Sequence, residues 1–129
     1  MADLEDARRI ALSLPETSGD TGFAVLRGGK PRGFAWVWNE RVEPKKPRVP
    51  RPDVLAIRTA SLDEKAILIA AAPEKFFTEP HYNNFPAVLV HLANVDLDEL
   101  EELLIDGWCC QAPKALVKEF DAQVRGGST

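Results

Sequence analysis

The chain has 129 residues, 45% of them hydrophobic and 28% charged, and a formal net charge of −4. This is one domain's worth of sequence with an ordinary globular composition, and no apolar run is long enough to span a bilayer. Residues 1–6 are acidic and lack the basic flank and apolar core of a signal peptide. We therefore expect a cytoplasmic protein with one domain over residues 1–125 and a flexible tail over residues 126–129.

The first part of the chain shows a helical pattern followed by strand patterns. Apolar residues at helical spacing over residues 4–14 predict an amphipathic helix, which Pro15 ends. Residues 16–21 are typical of a polar turn. Strands are predicted over residues 23–27 and 34–38, and the glycine-rich segment between them is typical of a hairpin connection.

Three aromatic residues alternate with small apolar ones in the second strand. Phe34, Trp36 and Trp38 are predicted on one side of the sheet, with Ala35 and Val37 on the other. If exposed, the three rings could stack on nucleic-acid bases. Large aromatic residues at a period of two more often form the core face of a sheet under helices, and we favour that interpretation.

Residues 39–53 are predicted to form a long irregular loop before a third strand over residues 54–58. Four prolines in this loop remove backbone donors and favour an extended conformation. A solvated loop is the plainest interpretation, and contact with nucleic-acid phosphates or with a proline-binding groove are the alternatives. The prolines are Pro44, Pro47, Pro50 and Pro52.

The second half of the chain begins with a helix signal. Ser61 and Glu64 have the spacing of a capping box, and the helix that they predict ends at Pro73. Short strands are predicted over residues 76–78 and 87–92. The residues predicted to share the apolar face of this helix are Leu62, Ala66, Ile69 and Ala70.

A second capping pattern, Asp96 with Glu99, predicts the next helix, and a last short helix is expected to begin near Pro113. The order α-β-β-β-α-β-β-α(-α), with hairpin-length links, predicts an α+β fold. We expect two layers, a five-stranded antiparallel sheet with the helices on one face. The residues of the third helix predicted to face inward are Leu97, Leu100, Leu104 and Trp108.

No residue pattern of an enzyme is present. No serine lies in a nucleophile motif, and the adjacent Cys109 and Cys110 are expected to stay free thiols. His81 and His91 have no metal-ligand spacing, so we expect a non-enzymatic protein without a metal or cofactor. His81 beside Tyr82 is the alternative, as a ligand site or an acid–base pair, although a rigid turn explains the same residues.

Positive charge is concentrated in residues 27–51. This stretch holds eight basic and two acidic residues, a local charge of +6, so the remainder of the chain carries −10. Such asymmetry is informative about partners rather than about the fold. The basic residues are Arg27, Lys30, Arg32, Arg41, Lys45, Lys46, Arg48 and Arg51.

Several motifs together resemble the MmcQ/YjbR family, and the resemblance covers nearly the whole chain. The helix ending in Leu14-Pro15 and the strand with Phe34-Ala35-Trp36 also fit this family. The chain departs from the family pattern at Asn84, where a glycine is common, and in its long proline-rich loop. The motifs are FFTEPHY at residues 76–82, FPAVLV at 85–90, DGW at 106–108 and APK at 112–114.

The resemblance implies a secretion-chaperone-like α+β fold and a bacterial protein labelled as DNA-binding through a "double wing" of β-hairpin loops. The wings would correspond here to residues 28–32 and 41–51, where the positive charge lies. Phosphate contacts would come from Arg41, Lys45, Lys46, Arg48 and Arg51, assisted by Lys30 and Arg32.

Our leading hypothesis is therefore weak, sequence-independent DNA binding. Contact with about five phosphates would give a log–log salt slope of about −4 to −5. A protein-interaction module, chaperone-like or homodimeric, is the first alternative. A small-molecule or enzymatic role at His81 and Tyr82 is the second.

Overall fold

An antiparallel sheet with four α-helices makes up the fold, and the computed structural model describes residues 2–126. The predicted tail lies outside the described residues, except for Gly126, where the last helix ends. The helices are α1 Leu4–Ser13, α2 Leu62–Ala71, α3 Leu97–Gln111 and α4 Lys114–Gly126. The strands are β1 Thr17–Gly19, β2 Gly22–Arg27, β3 Lys30–Glu40, β4 Val49–Arg58, β5 Phe76–Phe77 and β6 Ala87–His91.

The six strands lie in the order β1-β2-β3-β4-β6-β5, and every neighbouring pair is antiparallel. This confirms the predicted α+β class, with six strands instead of five. The additional strand is β1, which the sequence suggested was a polar turn. Its three residues are too few to show a period of two, and they form a strand because they pair with β2, Thr17 opposite Val25.

The helices α1 and α3 cover one face of the sheet, which we call the inner face. Leu100, Leu104 and Trp108 of α3 are fully buried there, whereas Leu97, predicted to point inward, is 44% exposed. The α3 backbone lies close to β4 at Gly107, where an added Cβ would come within 3.0 Å of Cγ2 of Ile57. The glycine therefore allows a close helix–sheet contact that a larger residue would crowd.

The opposite, outer face carries no helix in the described part of the chain. Its buried centre consists of Val54, Ala56 and Leu89, and partly buried aromatic rings pack on it. The segment 79–86, which we call the cover loop, packs over one end of this face. The aromatic residues in the cluster are Trp36, Trp38, Phe77 and Tyr82.

The predicted aromatic stripe is divided between the two faces. Ala24 pairs with Gly33 and Phe23 with Ala35, so Phe34 is the extra residue of a β-bulge. The bulge turns Phe34 into the inner core, while Trp36 and Trp38 belong to the outer cluster. The expectation that all three rings form a core face under helices is therefore wrong for the two tryptophans.

The predicted loop 39–53 is shorter than expected, because β3 and β4 extend into it and leave residues 41–48 as the connection. Val37 pairs with Leu55 and Trp38 with Arg51, so residues 52–54 have no partner on β3. Pro52 lies in this irregularity, where its missing N–H costs no ladder hydrogen bond.

Of the four residues predicted on the apolar face of α2, only Ile69 packs on the core, and Leu62, Ala66 and Ala70 are exposed. Ser61 caps the helix as expected, accepting a hydrogen bond from the Glu64 amide at 3.1 Å. Lys65 is only 3% exposed and Leu68 and Ile69 pack on the inner core, whereas Leu62 is 45% exposed.

Among the described residues, no helix has the length and apolar character needed to cross a bilayer.

Candidate nucleic-acid interface

The basic hairpin, residues 40–51, consists of the end of β3, the connection 41–48 and the start of β4. Five basic and two acidic residues give it a local charge of +3. The side chains of residues 41–47 are all exposed, and Arg48 and Arg51 are half-buried. A hairpin with this composition places a local positive charge on a protein whose net charge is negative.

Both carboxylates that pair with the basic hairpin belong to the hairpin itself. Arg51 Nε lies 2.6 Å from Glu40 Oε1, and Lys46 Nζ lies 3.4 Å from Glu43 Oε2. Among residues 2–126, no carboxylate from elsewhere in the chain forms an ion pair with it. The remainder of the protein, although strongly acidic, therefore does not neutralise the hairpin.

Two of the arginines shape the hairpin through backbone carbonyls. Arg41 Nη1 donates to the carbonyl oxygens of Pro44 and Lys46, at 3.0 and 3.3 Å, and Arg48 Nη1 donates to that of Asn39 at 3.1 Å. A carbonyl carries no net charge, so both guanidinium groups keep their positive charge. This arrangement orders the loop and leaves its cations available to an anion.

The second basic group follows the tight turn between β2 and β3. Gly28 and Gly29 have φ values of 60° and 79°, the left-handed conformation that a two-residue hairpin turn requires. Lys30 and Arg32 follow this turn, and both are exposed. No ion pair involves either residue in the described part of the chain.

The structure does not bring the two basic groups together. They lie at opposite ends of β3, whose eleven residues span about 33 Å. Arg32 pairs with Val25, which is buried on the inner face, whereas Arg51 pairs with Trp38 of the outer cluster. Cross-strand partners share a face, so Arg32 and Arg51 lie on different sides of the sheet.

The cover loop is anchored by one buried lysine. Lys65 Nζ donates to the carbonyl oxygens of Tyr82 and Phe85, the latter at 3.0 Å. Burial lowers the pKa of Lys65 from its ordinary value of 10.5, and the nearby Glu79 carboxylate partly offsets this. The sequence contains no local signal for this role, because the two carbonyls lie about twenty residues further along the chain.

His81 and Tyr82 are both in the cover loop, but their environments differ. The Tyr82 hydroxyl accepts a hydrogen bond from Trp36 Nε1 at 3.0 Å, so this side chain anchors the loop to the sheet. His81 is exposed, and its backbone N–H donates to the Glu79 carboxylate at 3.1 Å. The two residues are adjacent in the chain, and only Tyr82 is part of the outer cluster.

An open cavity of about 390 Å³ lies between α2, α3 and the end of β4, and both cysteines contribute to its lining. Cys109 and Cys110 are free thiols. Burial and the nearby Asp106 carboxylate raise the pKa of each, which keeps them protonated and weakly nucleophilic near neutral pH.

Within the described residues, no three His, Cys, Asp or Glu side chains are grouped so as to hold a metal ion.

Similar proteins are found in mycobacteria. The chain is 36% identical to the uncharacterized protein Rv2570 of Mycobacterium tuberculosis over 129 residues, which cover 93% of this chain and 96% of the relative. The uncharacterized protein Mb2600 of Mycobacterium bovis matches it to the same extent. The chain belongs to the family of these mycobacterial proteins. No protein-family model matches it.

A solved structure confirms the fold of this family member. The crystal structure of Deinococcus radiodurans protein DR2400, which contains a DUF419 domain, superposes with a TM-score of 0.63 at 23% identity. The match covers 92% of this chain and 88% of DR2400. At this level of identity the likeness shows a shared fold, and it carries no information about a shared ligand.

Proposed function

We propose that this protein is of the MmcQ/YjbR type and binds nucleic acid weakly and without sequence preference through the basic hairpin. The motif string described above supports the family name, and a structural neighbour with a DUF419 domain is consistent with it. The binding proposal rests on the electrostatics of the hairpin in this chain.

One observation carries the binding proposal: the basic hairpin is exposed and is not neutralised by the rest of the protein. If the basic hairpin formed ion pairs with carboxylates of the rest of the protein, the binding proposal would have no basis. Lys45 is exposed and has no ion-pair partner among residues 2–126, and Arg41 and Arg48 contact only backbone carbonyls through their hydrogen bonds. These cations can replace the counterions of a polyanion.

The expected affinity is low and strongly dependent on salt. Two of the five cations, Lys46 and Arg51, already face a carboxylate of the hairpin. Three to five phosphate contacts correspond to a log–log salt slope of about −3 to −4.5. The acidic remainder of the chain opposes a broad footprint, so the contact is local.

The test is fluorescence anisotropy of labelled DNA across a salt series. Replacing Arg41, Lys45, Lys46, Arg48 and Arg51 by glutamine is expected to abolish most binding at low salt. The single change Lys45→Gln is expected to reduce the slope by about 1, because it removes one phosphate contact.

The matched control is the double change of Lys30→Gln and Arg32→Gln, which removes charge at the other end of β3. This control is expected to leave affinity almost unchanged. Binding that ignores salt, or that survives the fivefold substitution, contradicts the proposal. A circular-dichroism spectrum equal to that of the wild type establishes that each variant is folded.

A protein partner is the second candidate, favoured by the apolar side of the same hairpin. Val42 and Val49 are 57% and 41% exposed, and with Pro47 and Pro50 they line a shallow surface cavity. Capture of one defined protein, together with no retardation of DNA at low salt, would support this candidate over nucleic acid.

A further inference from the structure

We propose that the outer face of the sheet is a stacking surface for single-stranded nucleic acid, with Trp36 and Trp38 each contacting a base. This inference rests on the proposed function and identifies the kind of strand that is bound. The basic hairpin then supplies the charge, and the outer face supplies the base contacts.

The geometry of β3 matches a single strand. Trp36 and Trp38 are two residues apart on one face, which places them about 7 Å apart along the strand. Bases within a duplex stand only about 3.4 Å apart and offer no free ring face. A nucleic-acid strand that lies along β3 must therefore be extended and unstacked. Single-stranded nucleic acid can adopt this conformation without loss of base pairing.

Trp36 is held in place and partly exposed, and two of its neighbours on β2 and β3 are glycines. Its Nε1 donates to the Tyr82 hydroxyl at 3.0 Å, and the Phe85 ring lies 6.1 Å away at a tilt of 59°. Gly22 and Gly33 lie beside it, and a Cβ added to either would be 3.5 and 3.9 Å from its side chain. An ordered ring beside residues without side chains is suited to stacking.

Trp38 lies where the aromatic face meets the positive charge. It is the cross-strand partner of Arg51, so the two side chains share the outer face. Trp38 also packs edge-on against Phe77, with centroids 5.5 Å apart, and Phe77 stacks on His91 at 4.5 Å. An aromatic surface beside a guanidinium is the combination that non-specific single-strand binding uses.

Tryptophan fluorescence tests this inference directly, because Trp108 is fully buried and Trp36 and Trp38 are only partly buried. Titration with an oligo-dT of about 16 nucleotides is expected to quench the emission of the wild type. Trp38→Leu is expected to weaken oligo-dT binding about tenfold, and Trp38→Phe, which keeps an aromatic ring, much less.

Duplex DNA of the same length separates this inference from the proposed function. The hairpin glutamine variant is expected to lose both DNA forms, whereas Trp38→Leu is expected to lose affinity only for the single strand. If the duplex binds as well as oligo-dT, or if Trp38→Leu binds oligo-dT like the wild type, the stacking inference is wrong while the hairpin proposal stands. If neither form binds and the emission does not change, both fail.

Discussion

The two faces of the sheet are built on different principles. On the inner face, Trp108 of α3 is fully buried, and its Nε1 donates to the Pro15 carbonyl at 3.0 Å. On the outer face, Trp36 is half-buried, and the partner of its Nε1 is a side chain of the cover loop. The Trp108 ring is enclosed between helices and sheet, whereas the cover loop covers only part of the Trp36 ring.

This contrast indicates that the inner face carries most of the stability, while the outer face keeps part of its aromatic surface exposed. Apolar burial stabilises a fold roughly in proportion to the area removed from water. Partly exposed aromatic rings contribute less to stability, and they can contact a ligand. Substitutions on the two faces should therefore differ in their effect on unfolding.

The largest difference is expected between two tryptophan variants. Trp108→Ala should lower the free energy of unfolding by about 3 to 5 kcal/mol, because it leaves a large cavity in the core. Trp36→Ala should cost about 1 to 2 kcal/mol, since its ring is partly exposed. Urea denaturation followed by far-UV circular dichroism measures both free energies of unfolding. Equal losses would show that the outer face contributes as much to stability as the inner face.

The cover loop provides the second test of the contrast. Lys65→Met should lower the free energy of unfolding by about 1 to 3 kcal/mol, because the carbonyls of Tyr82 and Phe85 lose their donor. Amide hydrogen exchange should become faster in the cover loop and stay unchanged in α3. Lys75→Met, which removes an ion pair with Glu99 at a more exposed position, is the control and should have a smaller effect.

The pH dependence of Lys65 has a defined sign. Its pKa is lowered in the folded protein, while in the unfolded chain it has the ordinary value of 10.5. Between these two values the unfolded chain binds more protons, so the stability of the wild type relative to Lys65→Met should rise with pH. Below the folded pKa both states are protonated, and the full cost of burying the charge is present. If the stability of the wild type relative to Lys65→Met fell with pH between the two pKa values, the burial of a charged lysine would be contradicted.

The smallest expected effect concerns the ion pair of the basic hairpin. Glu40→Gln should cost only about 0.2 to 1 kcal/mol of stability, because both Glu40 and Arg51 are partly exposed. It should also strengthen nucleic-acid binding, since the hairpin loses a negative charge and Arg51 is released. A weaker affinity for DNA would mean that Glu40 is needed to orient Arg51.

Local patterns predicted much of the fold. The caps at Ser61 and Asp96, the helix over residues 4–14 and the strand centres all follow from signals within a few residues of each element. The strand β1 was missed because three residues are too short for periodicity. On α2, Ile69 was placed correctly, but the burial of Lys65 was missed because its two carbonyl partners are distant in the sequence.

The sequence by itself determined the α+β class, the order of most elements and the concentration of positive charge in residues 27–51, because each depends on neighbours along the chain. Only the tertiary structure decided that Phe34 and Trp36 occupy opposite faces and that Arg32 and Arg51 lie on different sides of the sheet. The physical reason is register: one bulged residue reverses the alternation of a strand, and pairing with distant strands decides where that residue lies.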